Sequence, residues 1–308
     1  MNLIFINGTM GAGKTTVSRA LKNKLAPCAF ADGDNLWEMS PFLVNEKTKA
    51  MVLHNIAAVL AGFLDSGVFE NVLFCWVMHE ESIVKEILAR LDGRAFDFFL
   101  FTLQCDHKTL EARLQKDIGQ NVRTQGVLAR SAERASHYGE MLSAKIDVSR
   151  LTPEAAAEKI AAALTGKALC LPYRATDFLS ADARAVREEV FVREQGFKEE
   201  FDGKDAFSQH LVFYKDDRPA ACCRIFPAEK EGVWHVGRLA VLRQFRQKGV
   251  GAFVLARAED EIRLRGGRSV ELSAQLSARG FYAACGYTAA GETYEEEGVP
   301  HIAMCKAL

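Results

Sequence analysis

Apolar residues in the first half of the chain fall into short runs that alternate with longer segments of helical spacing. Residues 3–6 and 96–103 are short, nearly continuous apolar runs, which predicts buried strands. Residues 46–66 and 153–164 instead place apolar residues every three or four positions, which predicts helices. Strands that alternate with helices form parallel sheets, so we predict an α/β domain with helices on both faces of the sheet.

A different pattern begins after residue 166. Residues 179–195 have helical spacing, whereas residues 211–214 and 220–226 are apolar runs on either side of an Asp-Asp-Arg-Pro turn, which predicts a hairpin. At 308 residues the chain also exceeds the usual size of one domain. We therefore predict two domains, residues 1–166 and residues 167–308.

The composition narrows the class of protein. A hydrophobic content of 49%, a charged content of 26% and a net charge of −1 are typical of a globular protein and indicate no nucleic-acid surface. Eight cysteines are scattered without a CxxC pair, which favours a reducing compartment over disulfides or zinc. No apolar stretch reaches membrane-spanning length, and no basic segment precedes the first strand as in a signal peptide. We expect a cytoplasmic protein with small-molecule substrates and no membrane or nucleic-acid partner.

The first informative motif is GTMGAGKT, which directly follows the first predicted strand. It matches the phosphate-binding P-loop G-x-x-x-x-G-K-[ST]. Its glycines let backbone N–H groups approach a triphosphate without Cβ atoms in the way, and the helix that follows directs its positive end at the anion. The predicted nucleotide-binding residues are Gly8, Gly11, Ala12, Gly13, Lys14, Thr15 and Thr16.

Two carboxylates follow the second predicted strand, in the turn Asp32-Gly33-Asp34-Asn35. The carboxyl ends of parallel strands near a P-loop are where a phosphotransferase places its base and its Mg²⁺ shell. Asp34 and Asp32 are therefore candidate bases, and Thr15 and Asp32 are candidate Mg²⁺ ligands. An ordinary Asp-Gly turn is the alternative interpretation.

A polar segment with two glycines, residues 116–126, predicts a mobile lid. Arg113 is a catalytic candidate beside it, and Arg123 is a candidate for binding the nucleotide phosphates, because arginine can neutralise charge on a transferred phosphoryl group. Arginines on helix surfaces are also frequent without such a role.

Residues 1–165 resemble the P-loop kinases of small molecules, the superfamily of shikimate, gluconate, adenylylsulfate and nucleoside kinases. The P-loop, the DGDN turn, Arg113 with Leu114, and the Thr-Pro-Glu that opens the last helix carry this resemblance. It implies ATP and Mg²⁺ as cosubstrates, with Asp34 or Asp32 taking the proton of a substrate hydroxyl. Asp117 stands where such lids often have a second arginine, and no clear Walker B aspartate ends the third strand.

The second informative motif is Arg246-Gln247-Lys248-Gly249-Val250-Gly251, which opens a predicted helix. Glycines at a helix start let successive N–H groups approach a pyrophosphate, and the basic side chains add charge. By itself this pattern is matched equally well by a plain glycine-capped helix.

The segment 173–308 as a whole resembles the GNAT acyl-CoA N-acetyltransferases, closest to the ElaA-like branch. The glycine motif, the FYxxxGY segment around Tyr282, and the VFVREQ and Pro-His-Ile sequences carry this resemblance. It implies an α+β domain with a mixed, mostly antiparallel sheet, acetyl-CoA as cosubstrate, and Tyr282 as the acid that protonates the leaving thiolate. Its implied acetyl-CoA-binding residues are Leu239, Ala240, Val241, Arg246, Gln247, Lys248, Gly249, Val250, Gly251 and Gln275.

Residue type alone leaves the general base of this reaction open between Glu194 and His210, both of which are more often structural. For the whole chain, the leading hypothesis is a bifunctional transferase. One half would phosphorylate a small-molecule hydroxyl, and the other would acetylate an amine. The alternative is an acetyltransferase whose P-loop domain senses ATP without transferring phosphate.

Overall fold

The structure is a computed structural model and describes residues 1–120 and 126–308. The chain divides into two compact units, Met1–Ala168 and Leu169–Leu308. Each unit has its own sheet and its own hydrophobic core.

Five parallel strands form the sheet of the first unit. They are β1 (Asn2–Asn7), β2 (Cys28–Asp32), β3 (Asn71–Cys75), β4 (Asp97–Gln104) and β5 (Ala144–Asp147). Their order across the sheet is β2-β3-β1-β4-β5, with every neighbouring pair parallel. The central strand β1 is fully buried from Leu3 to Ile6, which is why its sequence is continuously apolar. The predicted α/β architecture is confirmed.

Six helices accompany these strands in the described part of the unit, and the last of them follows β5. They are α1 (Lys14–Lys24), α2 (Glu46–Asp65), α3 (Glu81–Ala89), α4 (His107–Gly119), α5 (Val127–Glu140) and α6 (Pro153–Leu164). Three of them begin at side-chain caps that satisfy N–H groups of the first turn, namely Asn45, Asp106 and Thr152. These caps explain why the starts of α2 and α6 are readable from the sequence.

The first part of the segment predicted as a mobile lid, residues 116–119, is the last turn of helix α4. Helix α4 runs on through Gly119, because Leu110 and Leu114 bury one of its faces and Lys116 lies favourably in its last turn. The middle of the predicted lid, residues 121–125, lies outside the described residues.

Seven strands form the sheet of the second unit. They are β6 (Tyr173–Thr176), β7 (Gln209–Lys215), β8 (Arg218–Pro227), β9 (Val233–Val241), β10 (Ser269–Gln275), β11 (Thr288–Glu296) and β12 (Val299–Ala307). The order is β11-β12-β10-β9-β8-β7-β6. Only β9 and β10 are parallel, so the predicted mixed, mostly antiparallel sheet is confirmed.

Three helices pack on this sheet: α7 (Ala181–Arg187), α8 (Val250–Leu264) and α9 (Arg279–Ala284). The single helix predicted over residues 179–195 is instead α7 followed by a π-helical turn, Glu188–Glu194. Helix α8 buries Val254, Ala258 and Ile262 against one face of the sheet, where they form the core with Leu272 of β10. Within the described residues no helix is both long enough and apolar enough to cross a bilayer.

Candidate functional site

The P-loop lies between β1 and α1, as predicted, and its backbone explains its glycines. Gly8, Gly11 and Gly13 all have positive φ, at 144°, 83° and 93°. A Cβ on Gly8 would come within 2.6 Å of the Leu103 carbonyl oxygen, and one on Gly11 within 2.8 Å of the Leu114 side chain. The loop therefore combines left-handed backbone with close packing, which only glycine tolerates.

A cavity of about 510 Å³ opens over this loop. Lys14 and Thr15 line it from the P-loop, and Asp34 and Arg113 line it from elsewhere in the unit. The other P-loop residues that line it are Gly11, Ala12, Gly13 and Thr16. The N-terminus of α1 faces this space without a side-chain cap, so its N–H groups and its dipole can meet an anion.

The two carboxylates of the DGDN turn occupy different positions. Asp32 is 9% exposed; it accepts a hydrogen bond from the Thr15 hydroxyl at 2.7 Å and another from the Asp34 N–H at 3.1 Å. Asp34 is exposed and lines the cavity. Asp32 thus lies beside the Thr15 hydroxyl of the P-loop, whereas Asp34 lies in the wall of the cavity.

Thr15 and Asp32 together fit a Mg²⁺ ion that comes with its nucleotide. Mg²⁺ at such sites keeps waters and phosphate oxygens and takes only one or two protein oxygens, so an all-protein cage is unnecessary. The described residues contain no cluster of three or more His, Cys, Asp or Glu side chains able to hold a metal. The Thr15 hydroxyl and the Asp32 carboxylate are adjacent oxygens of the required kind.

Arg113 lies on α4, at the side of the cavity formed by the loop after β5. Its Nη2 donates a hydrogen bond to the Val148 carbonyl oxygen at 2.9 Å, and Leu151 and Thr152 line the same side. This position puts the guanidinium plane against the β5–α6 loop. Arg123 lies outside the described residues, so its predicted role stays a prediction.

In the second unit, the two parallel strands separate after a short paired segment. β10 pairs with β9 only over residues 269–271, opposite residues 233–235. The later part of β9 contains Leu239, Ala240 and Val241, and Arg238 just before them has φ 52°, at an irregularity in the β8–β9 pairing. The strands therefore leave an opening between them at their carboxyl ends.

The glycine motif begins α8 beside this opening. Gly249 is the N-cap with φ 74° and provides no side-chain cap, and Gln247 also has positive φ, 61°. A Cβ on Gly251 would come within 3.3 Å of the Phe281 ring. The loop leaves the first N–H groups of α8 without a side-chain cap, and Lys248 and Val250 are part of this motif. Uncapped N–H groups at a helix start are the geometry of an anion site.

Arg246 has a different position from the one predicted for a pyrophosphate contact. Its Nη1 and Nη2 donate to both carboxylate oxygens of Glu194, at 2.6 and 2.7 Å, and its Nε donates to the Val241 carbonyl oxygen at 2.8 Å. The arginine thus joins the motif to the end of β9 and to the π-helical turn.

Neither candidate base suits that role. The hydrogen bonds from Arg246 hold the pKa of Glu194 below its usual value, and both its oxygens are occupied. His210 is 1% exposed, and burial lowers its pKa. Its Nε2 contacts the Asp205 carbonyl oxygen at 3.1 Å. Both residues are structural in this geometry.

Tyr282 lies on α9 among aromatic residues of the core, between Phe281 and Tyr287. Burial raises the pKa of its phenol to about 12. A phenol of that pKa keeps its proton at neutral pH, so the proton is present on Tyr282 when a reaction begins.

A cluster of three arginines and three carboxylates holds the loop before β7, and the sequence analysis did not identify it as a unit. Arg187 bonds Glu200 at 2.6 Å and Asp205 at 2.7 Å. Arg224 bonds Asp202 at 2.6 Å and Asp205 at 2.7 Å. The third arginine of the cluster is Arg238, which bonds Glu200 at 2.9 Å and Asp202 at 3.3 Å. Arg238 lies in the irregular part of β9, so it joins the cluster to that strand. Every charge in the cluster is therefore paired.

Comparison with known proteins agrees with this geometry. A family model described as "Acetyltransferase (GNAT) domain" matches residues 174–308. An uncharacterized N-acetyltransferase of Bacillus subtilis, YjcF, is 35% identical over 128 residues, which is 41% of this chain and 90% of that protein. The chain belongs to the GNAT acetyltransferase family.

Two other relatives match a similar share of this GNAT protein. A putative acetyltransferase of Bacillus subtilis is 32% identical over 39% of this chain and 84% of its own length. The protein ElaA of Escherichia coli is 29% identical over 39% of this chain and 81% of its own length, in line with the ElaA-like resemblance. A separate family model, described as "AAA domain", matches residues 4–136, so a P-loop kinase-like unit precedes the GNAT unit.

Proposed function

We propose that the second unit transfers an acetyl group from acetyl-CoA to an amine. The observation that carries this proposal is the uncapped, glycine-opened start of α8 beside the opening between β9 and β10. The N–H groups of α8, with Lys248, would hold the pyrophosphate, and the separated strands would receive the pantetheine arm and the thioester. Membership of the GNAT family supports the same assignment.

In this proposal, the amine attacks the thioester carbonyl within the opening, and the C–N bond forms as the C–S bond breaks. Tyr282 would donate its proton to the departing sulfur, because its phenol stays protonated at neutral pH and packs against the core of this unit. The paired cluster of Arg187, Arg224 and Arg238 would keep the loop before β7 in place as a wall of the acceptor side.

We further propose that the first unit binds ATP–Mg²⁺ and transfers its terminal phosphoryl group to a small-molecule hydroxyl. Lys14 and the N–H groups of the P-loop would hold the phosphates, and Thr15 with Asp32 would hold the metal. Asp34, exposed in the same cavity, would take the hydroxyl proton. Arg113, against the β5–α6 loop, would contact the nucleotide from the opposite side of the cavity.

A second candidate function for the first unit is ATP sensing without phosphoryl transfer. One observation favours it: Asp117, and not an arginine, lines the cavity one turn beyond Arg113. A carboxylate at that place adds negative charge where a transferred phosphoryl group needs positive charge.

Titration calorimetry tests both proposals on the full chain. We expect separate binding of ATP–Mg²⁺ and of acetyl-CoA, with Lys14→Met removing only the first. A protein that binds ATP but not acetyl-CoA would refute the acetyltransferase assignment.

A screen of metabolite pools with ATP or with acetyl-CoA then identifies the acceptors. For a phosphorylated acceptor, Asp34→Asn should lower kcat by at least about 100-fold, because a general base contributes roughly 100- to 10,000-fold. Unchanged phosphorylation would contradict the assignment of Asp34. Acetylation kinetics that respond to ATP, with no phosphorylated acceptor found, would instead favour the sensing role.

A further inference from the structure

The end of the β11–β12 hairpin forms a polar cluster with the last residues of β10. The Tyr294 hydroxyl contacts the Ser273 hydroxyl, and the Tyr294 ring stacks on the His301 ring, with centroids 6.2 Å apart and planes inclined by 25°. Gln275 of β10 pairs in register with His301 of β12. The Gln275 amide donates to the side-chain oxygen of Gln195 at 2.9 Å. Ser273, Tyr294 and His301 have no role in the reaction as described above.

All these side chains share one face of the sheet. Side chains alternate between the faces of a strand, and Ile302 of β12 and Ala274 of β10 belong to the core packed on α8. His301 and Gln275 therefore lie on the opposite face. The contact with Gln195 places that face toward the π-helical turn. Tyr282, which packs with the α8 core, lies on the other side.

This cluster is also next to the opening between β9 and β10. β12 pairs with β10 along residues 269–275, whereas β9 pairs with β10 only as far as residue 271. His301 is thus one strand spacing, about 5 Å, from the part of β10 that borders the opening. A thioester in the opening would have the His301 face on one side and Tyr282 on the other.

The hydrogen bond of His301 fixes its tautomer. Nδ1 lies 2.8 Å from the Val299 carbonyl oxygen, and a carbonyl can only accept, so Nδ1 carries the proton. In the neutral ring Nε2 then has a lone pair and can accept a proton. His301 is 7% exposed, and the Tyr294 ring restricts its orientation. The ring is thus held in the form that a general base requires.

We propose that His301 is the general base of the acetyl transfer, an inference that rests on the proposed reaction of the second unit. An ammonium acceptor first loses one proton to solvent, which frees its lone pair. As the neutral amine then forms the C–N bond, His301 Nε2 takes a second proton from it. As the C–S bond breaks, the CoA sulfur takes the proton of the Tyr282 phenol. The imidazolium then returns a proton to the phenolate through solvent. The products are an amide and free CoA thiol, and both side chains regain their starting protonation states.

The charged groups around His301 suit a cationic acceptor. Glu296 of β11 lies 3.3 Å from the Ser273 hydroxyl, and Glu297 at the hairpin turn accepts from the Lys198 N–H at 3.1 Å. Glu271 of β10 is on the same face as Ser273. Negative charge at this rim raises the local concentration of an ammonium substrate. This rim therefore favours an acceptor that carries positive charge.

Bromoacetyl-CoA tests the placement of His301 without knowledge of the acceptor. A nucleophilic nitrogen close to the acyl group would displace bromide from this analogue and form an N–C bond, which peptide mass spectrometry locates. We expect wild-type full chain to be alkylated at His301, and excess CoA to suppress the reaction. His301→Asn keeps a donor for the Val299 carbonyl but lacks Nε2. The His301→Asn variant should be alkylated at least about tenfold less than the wild type, while it binds acetyl-CoA with unchanged affinity.

His235→Asn is the matched control, since His235 lies on β9 of the same sheet and packs against Phe226. It should be labelled at His301 like the wild type. Alkylation at another residue, equal labelling of His301→Asn, or no alkylation despite binding of the analogue would each overturn the assignment of His301. Absence of any binding would instead refute the acetyl-CoA site itself, and with it this inference.

Discussion

Replacement of Asp205 by asparagine should destabilise the second unit strongly. Asp205 is 11% exposed at its side chain, and it accepts hydrogen bonds from Arg187 at 2.7 and 3.0 Å and from Arg224 at 2.7 Å. Arg187 and Arg224 are themselves buried. The substitution keeps the shape of the side chain and removes its charge, so two buried guanidinium groups lose a shared partner.

Two independent considerations give the size of the expected loss of stability. Burial raises the pKa of Asp205, but the hydrogen bonds from Arg187 and Arg224 outweigh it and lower the pKa from 3.8 to about 2. A shift of this size means that folding favours the carboxylate over the acid by roughly 2 kcal/mol. Removing one partner of a buried ion pair costs about 3–5 kcal/mol. We therefore expect the free energy of unfolding to fall by about 2–5 kcal/mol.

The pH dependence follows from the direction of the shift. The folded pKa is below the unfolded one, so the stabilisation is complete above about pH 4 and disappears as the pH falls through about 2. Wild type and Asp205→Asn should therefore differ most near neutral pH and approach each other in acid. A difference that grew on acidification would contradict the assignment.

Urea titration read by hydrogen exchange and mass spectrometry measures the effect for the second unit alone, through peptides of β8. Glu194→Gln is the control, because the Glu194–Arg246 pair has similar geometry but is more than a third exposed at both side chains. An exposed pair contributes about 0–1 kcal/mol. The reasoning fails if Asp205→Asn lowers the free energy of unfolding by less than about 1 kcal/mol, or by no more than Glu194→Gln does.

Three further predictions concern the proposed sites. Lys14→Met should abolish ATP binding and leave acetyl-CoA binding intact, measured by calorimetry; loss of both would point to misfolding. Gly249→Ala should weaken acetyl-CoA binding about 5- to 30-fold, because a left-handed backbone with a Cβ costs about 1–2 kcal/mol; unchanged affinity would mean that the loop does not hold the cosubstrate. Tyr282→Phe should lower the rate of CoA release about 100-fold without changing acetyl-CoA affinity. With a phenol pKa of about 12, Tyr282 should cause no loss of rate below about pH 11.

Local sequence patterns were sufficient for most elements of the fold. α2 begins at Glu46 because Asn45 caps it, and α6 begins at Pro153 after the cap Thr152. The last two strands were not predicted: every residue of β11 is exposed, so no apolar alternation marks it. It forms because β12 pairs with it, which is a tertiary effect.

The sequence predicted which residues belong to the candidate sites better than it predicted the contacts between them. The P-loop is contiguous, so its contacts with phosphate follow from one stretch of sequence. The bond between Thr15 and Asp32 requires two elements to meet. The sequence indicated only that Thr15 follows the first strand through the P-loop and that Asp32 ends the second strand. Glu194 illustrates the limit. Residue type made it a candidate base, but its partner Arg246 is 52 residues away in the chain, and that pairing removes its basicity.

The N-termini of α1 and α8 both follow glycines and both leave backbone N–H groups without a side-chain cap, but the charged side chains around them differ. At α1, Lys14 belongs to the helix and lines the cavity with Asp34 and Arg113, so side chains of both signs face the ligand space. At α8, Arg246 is held by Glu194 and by the Val241 carbonyl. Anion binding there would depend mainly on backbone N–H groups and on Lys248. This contrast supports the two proposed roles: the first site would stabilise charge that moves during phosphoryl transfer, and the second would anchor a cosubstrate whose phosphates take no part in the reaction.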